Sequence, residues 1–177
     1  MNKRILLYII IAVISGAAIT ELPHTKHYQQ DALVERLDTT SLSQRSAVIF
    51  TGTVTKKLGT IREQDATGED MVYSRWLIQP DRTLKGASNR TVVVRTLGGQ
   101  YLTTIVEVED QPKFSAGEKV LLFLQQPEDW KGDFRTVGEF QGKYSLNSSS
   151  GQTVTIQAET GKKQPLSEVE SDVAQAL

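Results

Sequence analysis

The chain has 177 residues, with 20 Lys+Arg against 21 Asp+Glu, a formal net charge of −1, 13 Gly, 5 Pro and no Cys. That length suits one ordinary domain plus something extra, and 38% hydrophobic with 23% charged residues are globular proportions. The absence of Cys excludes a disulfide framework, a thiolate metal site and a cysteine nucleophile, and the near-zero charge supplies no electrostatic footprint for nucleic acid.

Lys3 and Arg4 precede an apolar run from Ile5 to Ile14, which continues through Ser15, Gly16, Ala17 and Ala18 to Thr20. A basic start followed by an apolar stretch predicts a hydrophobic N-terminal helix, either a signal peptide or a membrane anchor, over residues 1–20. As a helix, residues 5–20 would span about 24 Å, slightly short of a hydrocarbon core of about 30 Å. Ser15 and Ala17, or Gly16 and Ala18, supply the small residues that a signal peptidase reads and so favour cleavage, whereas a retained anchor needs tilt or local thinning. Both readings export the chain and leave Lys3 and Arg4 inside. The expected location is periplasmic or extracellular, or membrane-anchored with the folded part outside the cytoplasm. Without residues 1–18, 18 Lys+Arg face 21 Asp+Glu and the remainder carries −3. An exported chain without Cys fits a bacterial or archaeal envelope better than a eukaryotic secreted domain. Asn89-Arg90-Thr91 and Asn147-Ser148-Ser149 match the glycosylation sequon, a pattern common by chance.

Residues 21–45 are polar and read as a spacer with one short helix over 31–37, where Leu33, Val34 and Leu37 share a face. From Ser46 onward, short β-branched and aromatic runs alternate with Gly, Pro, Asp and Asn clusters, the spacing of an all-β barrel or sandwich over 46–158. The first strand is expected over 47–61, with bulges or sharp coiling at Gly52 and Gly59. A second covers 71–79, with Val72, Trp76 and Ile78 on one face, and is broken by Pro80 and Asp81. A third covers 91–97 and ends at Gly98-Gly99. A fourth covers 101–109, with Leu102, Thr104, Val106 and Val108 facing in and Glu107 and Glu109 facing water. A turn over 110–117 leads into Val120-Leu121-Leu122-Phe123-Leu124, apolar on both faces and therefore the most buried strand. Further strands are expected over 134–137, 143–146 and 153–157. Residues 159–177 close with a helix: Ser167 and Glu170 have capping-box spacing, and Leu166, Val169, Val173 and Leu177 recur on one face, so that it plugs or flanks the barrel.

The succession Gly52-Thr53-Val54, Leu84-Lys85-Gly86, residues 92–99, Pro112-Lys113-Phe114, residues 117–124, and Gly138 with Gln141-Gly142-Lys143-Tyr144 resembles a group of uncharacterised bacterial and archaeal exported proteins. Their barrel is similar to the oligonucleotide/oligosaccharide-binding (OB) type of the netrin and metalloproteinase-inhibitor-like superfamily. The resemblance covers roughly residues 46–146, is most specific over 112–124, and implies a small closed or partly open OB-like barrel. The inhibitor branch presents an N-terminal cysteine to its target's zinc, and this Cys-free chain lacks that mechanism.

Both histidines, His24 and His27, fall in the spacer, which removes His-dependent nucleophilic catalysis and His-ligated metal from the barrel. Their i, i+3 spacing would let them share a metal on a helix, but no third ligand is evident, so no metal or cofactor is expected. Gly98-Gly99 reads as a turn rather than an anion nest, and Glu118 as a solvated or backbone-bonded carboxylate rather than a general base. Asp65, Glu69 and Asp70, and Glu107, Glu109 and Asp110, are the carboxylate clusters a glycosidase pair could come from and read as solvated; the first, with Gly68 nearby, could loosely bind calcium, but its spacing departs from the twelve-residue loop pattern. Serine–lysine chemistry survives elimination without a supporting motif. Trp130, in the loop 126–133, is a candidate exposed aromatic of a binding platform that Tyr101 and Tyr73 would extend; alternatively Trp76 and the tyrosines pack at barrel ends. The expected function is a non-catalytic, envelope-facing binding or assembly module. Its expected partners are an envelope protein complex and, through residues 5–20 if uncleaved, the membrane, with no nucleic acid. The alternatives are a soluble exported carbohydrate- or ligand-binding protein, or a hydrolase using carboxylates or a Ser–Lys pair.

Overall fold

The computed structural model describes residues 24–28, 35–64, 67–87, 90–149, 152–157 and 161–177; the apolar segment 5–20 and its expected helix lie outside them. In chain order these residues form β1 (His24–Tyr28), α1 (Thr39–Arg45), β2 (Val48–Gln64), β3 (Asp70–Lys85), β4 (Val92–Leu97), β5 (Gly99–Tyr101) and β6 (Thr104–Val108). Then follow β7 (Lys119–Gln125), β8 (Arg135–Thr136), a 3-10 turn (Glu139–Gly142), β9 (Lys143–Ser149), β10 (Gln152–Gln157), β11 (Lys163–Pro165) and α2 (Leu166–Ala176). The larger sheet has the order β11-β10-β9-β7-β2-β3-β4, with β8 also paired to β7, and a smaller one runs β1-β6-β5. The protein is therefore mostly β with a short C-terminal helix.

Residues 120–124 in β7 are fully buried, as their unbroken apolar run implies, because the larger sheet is covered on both faces. Val120, Leu122 and Leu124 join Phe50, Val54, Ile78, Val94 and Phe114 in a core inside the curl of β2, β3 and β4. On the other face, Leu121 and Phe123 meet Ile49, Tyr144, Leu42 of α1, and Val169 and Val173 of α2. Burying these two clusters supplies the main drive for folding, at roughly 25 cal/mol for each Å² of apolar surface. The register of β2 on β3 shifts at Thr51/Gly52 and again at Lys57/Gly59, where the two glycines pointed to bulges.

The closed barrel does not form. Between β4 and β7 the sheet is linked by a short stretch, the isolated bridge Val94↔Phe134 and the two-residue pairing of β8 with β7. Beside β4 that stretch makes the Phe134 N–H to Val93 carbonyl and Arg95 N–H to Phe134 carbonyl bonds, and the next β4 donor, the Leu97 N–H, goes to the Gln111 side chain instead, so the ladder does not continue.

Several local expectations also change. β3 runs through Pro80, which lies opposite Gly52 at a bulge and beyond the last β4 pair, Ile78↔Val92, so a missing N–H is tolerated there. The strand expected over 101–109 is instead a hairpin, β5 and β6, whose tip leaves Leu102 79% exposed rather than facing in. Of the helix expected over 31–37, residues 35–37 are not helical and the rest lies outside the described residues. The helix comes later, as α1, where the Asp38 side chain accepts the Ser41 N–H at 2.7 Å. That hydrogen bond lowers the pKa of the Asp38 carboxyl. Residues 35–45 are no mere spacer: Leu37 and Leu42 are buried, and Gln141 accepts the Leu37 N–H at 2.8 Å and donates to the Glu35 carbonyl at 3.0 Å. In α2, Pro165 occupies the N-cap with no side-chain cap bond, so Ser167 lies within the helix and the capping box is not made. Val169 and Val173 still hold α2 flat against the sheet, while Leu177 is exposed.

Candidate functional site

Side chains on the inward face of β3 and β4 continue past the core to an open end. Ser74 and Trp76 extend the row of Ile78, and Thr96 extends that of Val92 and Val94. There the sheet, β6 and the chain after β6 enclose a groove of about 520 Å³. Trp76, Val106, Pro112 and Phe114 give it an apolar lining, with Glu107, Glu109 and Lys113 among its charged residues. A neighbouring hollow of about 390 Å³ shares Glu109, Gln111, Pro112 and Lys113 and adds Asp110, Phe140 and Lys143.

Three devices hold the groove in shape. Gly98 and Gly99 (φ 97 and 129) carry the chain from the larger sheet to the smaller one; they are not the simple turn expected between two neighbouring strands. Gly98 N–H donates to the Val72 carbonyl at 2.7 Å, Ser74 Oγ donates to the Gly98 carbonyl at 2.8 Å, and a Cβ on Gly99 would fall 2.7 Å from Thr60 Cγ2. Next, Gln111 accepts the Leu97 N–H at 3.0 Å and donates to Glu139 at 2.6 Å, tying the end of β4 to the 3-10 turn.

The third device is a buried peg. Lys143, 5% exposed, donates from Nζ to Glu118 Oε1 and to the Lys113 carbonyl, both at 2.6 Å, and lies 5.2 Å from the centre of the Phe114 ring. Glu118 also accepts the Ser115 N–H at 3.1 Å and the Ser145 hydroxyl at 2.6 Å. Glu118 is thus neither solvated nor bonded to backbone alone; it is the centre of a cross-link between β9 and the loop 112–118. Charge-assisted bonds of this length are the strong kind. The stretches quoted above as Pro112-Lys113-Phe114, residues 117–124 and Gly142-Lys143-Tyr144 meet in this one cluster. In the sequence, Lys143 shares those stretches with Glu118, which is the signal available for the pair, whereas Gln111 lies outside them and carries none.

Serine–lysine catalysis has its residue types here, but Ser145 gives its proton to Glu118, and the donors of Lys143 go to Glu118 and a carbonyl. A lysine base needs a free amine lone pair directed at the serine, a different arrangement.

Trp130 is 9% exposed and is no platform residue. Its ring stacks under the Arg95 guanidinium, 4.8 Å from ring centre to Cζ, and meets Tyr73 edge-on at 5.2 Å. Arg95 donates to Asp133 at 2.6 Å and Glu63 at 2.5 Å, and Arg75, its opposite number on β3, donates to Asp133 at 2.9 Å. Burial works against the Arg95 charge, but the hydrogen bonds to Asp133 and Glu63 outweigh it and raise its pKa. This network clamps the loop 126–133 on the outer face of β3 and β4. Trp76 packs on Phe114 with ring centres 5.8 Å apart and belongs to the groove.

The other sequence candidates do not converge. His24 and His27 lie on β1, so the helical backbone on which their shared-metal spacing depended is absent. Asp70 pairs with Arg62, and Asp65 lies outside the described residues. Glu107 and Glu109 line the groove, and Asp110 lines the smaller hollow. Among the described residues no group of three or more His, Asp or Glu is placed to hold a metal ion. Nor is any described helix long and apolar enough to cross a membrane. No protein-family model matches the chain, and no curated protein matches it.

Proposed function

We propose that this chain is an exported, envelope-facing, non-catalytic binding or assembly module that recognises its partner in the groove at the open end of the curled sheet. The carrying observation is the groove itself: an apolar lining of Trp76, Val106, Pro112 and Phe114, with charges of both signs around it, held by the Gly98-Gly99 crossing, the Gln111 bridge and the Lys143 peg. Preformed apolar concavities with a few fixed polar groups are the usual form of binding sites. The connections support a partly open OB-like reading: a β2-β3-β4 meander, β7 returning beside β2, and the stretch at Phe134 set parallel to β4. The strong pairs, Lys143 with Glu118 and Arg95 with Asp133, brace loops rather than converge on an open site, which favours binding over catalysis. The N-terminal sequence supports export, and the anchored form suits assembly with an envelope protein complex.

The test is photo-crosslinking in intact cells from a benzoylphenylalanine placed at Lys113, beside the groove, and separately at Glu128, in the loop 126–133, followed by mass spectrometry of the adducts and of the chain's own N-terminus. A protein adduct at 113 and not at 128, on a chain that keeps Lys3 and Arg4, supports the anchored assembly module. A processed chain without a protein adduct, whose tryptophan emission shifts on adding oligosaccharides, supports the soluble binding protein. Equal adducts at both positions, or none with no emission response, would refute the groove as the recognition surface.

A further inference from the structure

Tyr101 pairs with Thr104, so the β5–β6 hairpin turns through two residues, Leu102 and Thr103. Such turns hold their first residue at positive φ, a place usually given to Asn or Gly. Here it is Leu102, at φ 52 and 79% exposed. A leucine in that position has two local costs, left-handed backbone beneath a bulky side chain and apolar surface left in water, and at that exposure packing offsets neither. Backbone strain kept without a structural return marks a functional position.

An independent feature indicates what that position meets. β1 runs parallel to β6 with His24 opposite Thr104, so the first residue of β1 lies beside the hairpin tip. Only residues 21–23 separate His24 from the apolar run that ends at Thr20. The steps from Thr20 to His24 reach at most about 14 Å.

We propose that the β5–β6 hairpin inserts Leu102 into the bilayer surface that holds residues 5–20, with Tyr101 beside it at headgroup level, where tyrosine is favoured. The inference rests on the anchored form of the proposed function. Its consequence is orientation. One spanning segment leaves a domain free to swing, whereas a second contact at the tip fixes its attitude. Val106, Glu107 and Val108, which line the groove, follow along the same strand away from the tip.

The chain contains no Cys, so a cysteine introduced at one position carries a spin label there alone. The full chain with Leu102→Cys, and separately with Lys131→Cys in the loop 126–133 on the outer face of β3 and β4, is reconstituted in vesicles of phosphatidylethanolamine and phosphatidylglycerol. Collisions of each label with oxygen and with a water-soluble nickel chelate are then compared. The label at 102 should collide mainly with oxygen, and the label at 131 mainly with nickel. Flotation of the vesicles reports the anchor separately. A floating chain whose label at 102 meets nickel as freely as the one at 131 overturns the hairpin contact and leaves the anchor standing. A chain that does not float overturns both. Shielding that appears only at high protein-to-lipid ratio would assign the tip to a second copy and also overturns the proposal. Leu102→Gly, which suits the backbone, should keep or raise the melting temperature; a clear fall would make Leu102 a structural residue and overturn it too.

Discussion

Replacing Lys143 by Met strips Glu118 of its counter-charge and leaves the Lys113 carbonyl without its donor. The side chains of Lys143 and Glu118 are only 6% and 19% exposed, so this pair belongs to the buried class, in which removing one partner costs about 3–5 kcal/mol. Glu118 keeps bonds from Ser115 and Ser145, which places Lys143→Met near the lower end, about 3 kcal/mol. In a domain of this size that lowers the melting temperature by roughly 6–12 °C. Glu118→Gln should cost a similar amount, because it leaves the lysine charge uncompensated. The double variant leaves neither charge alone, so its loss should fall short of the sum of the single losses by about 2 kcal/mol. Urea unfolding followed by tryptophan emission measures all three, with an unchanged slope confirming that the same surface is exposed. If the losses add to within about 0.5 kcal/mol, the two residues are not coupled and the peg does not hold the loop 112–118.

Leu122→Asp places an unpaired charge at a fully buried position in β7 and should prevent folding; β-type circular dichroism with an unchanged melting temperature would refute the assignment of β7 as the central strand. Burial raises the pKa of the Tyr144 phenol above its ordinary value, with a smaller opposing hydrogen bond from Thr39. Above about pH 10 the unfolded chain has lost a proton that the folded chain retains, so this residue's contribution to stability is intact below that pH and declines as pH rises past it. The difference in melting temperature between the wild type and Tyr144→Phe should therefore shrink or reverse between about pH 9 and pH 11. A constant difference refutes it.

Strand signals were legible where they were local. The apolar run 120–124, the alternation around Val72, Trp76 and Ile78, the bulges at Gly52 and Gly59, and the Val169/Val173 stripe all depend on side-chain period along one segment. Misreadings arose where a distant group made the decision. Trp130 has the loop setting of an exposed aromatic until Arg95 and Tyr73 fold against it. Glu118 looks like any solvent-facing carboxylate until Lys143 and Ser145 reach it. Leu102 fits an inward alternation until the chain turns there without the Gly or Asn that would have marked the turn. In α1, Thr39, Thr40, Ser41 and Ser43 are weak helix formers, and it is Leu42, buried against the sheet, that makes the helix favourable.

The sequence by itself thus determined a mostly β chain, its central strand and its closing helix, because hydrophobic period and backbone-specific residues act within a few positions. The tertiary structure alone decided that the sheet stays open, that residues 35–45 belong to the core, and that a groove braced by Gln111 and Lys143 lies at the open end. The partners in those choices, Leu37 with Gln141, Leu97 with Gln111, and Lys143 with Glu118, come from separate stretches of chain, and no local pattern distinguishes a polar side chain that will find such a partner from one that stays in water.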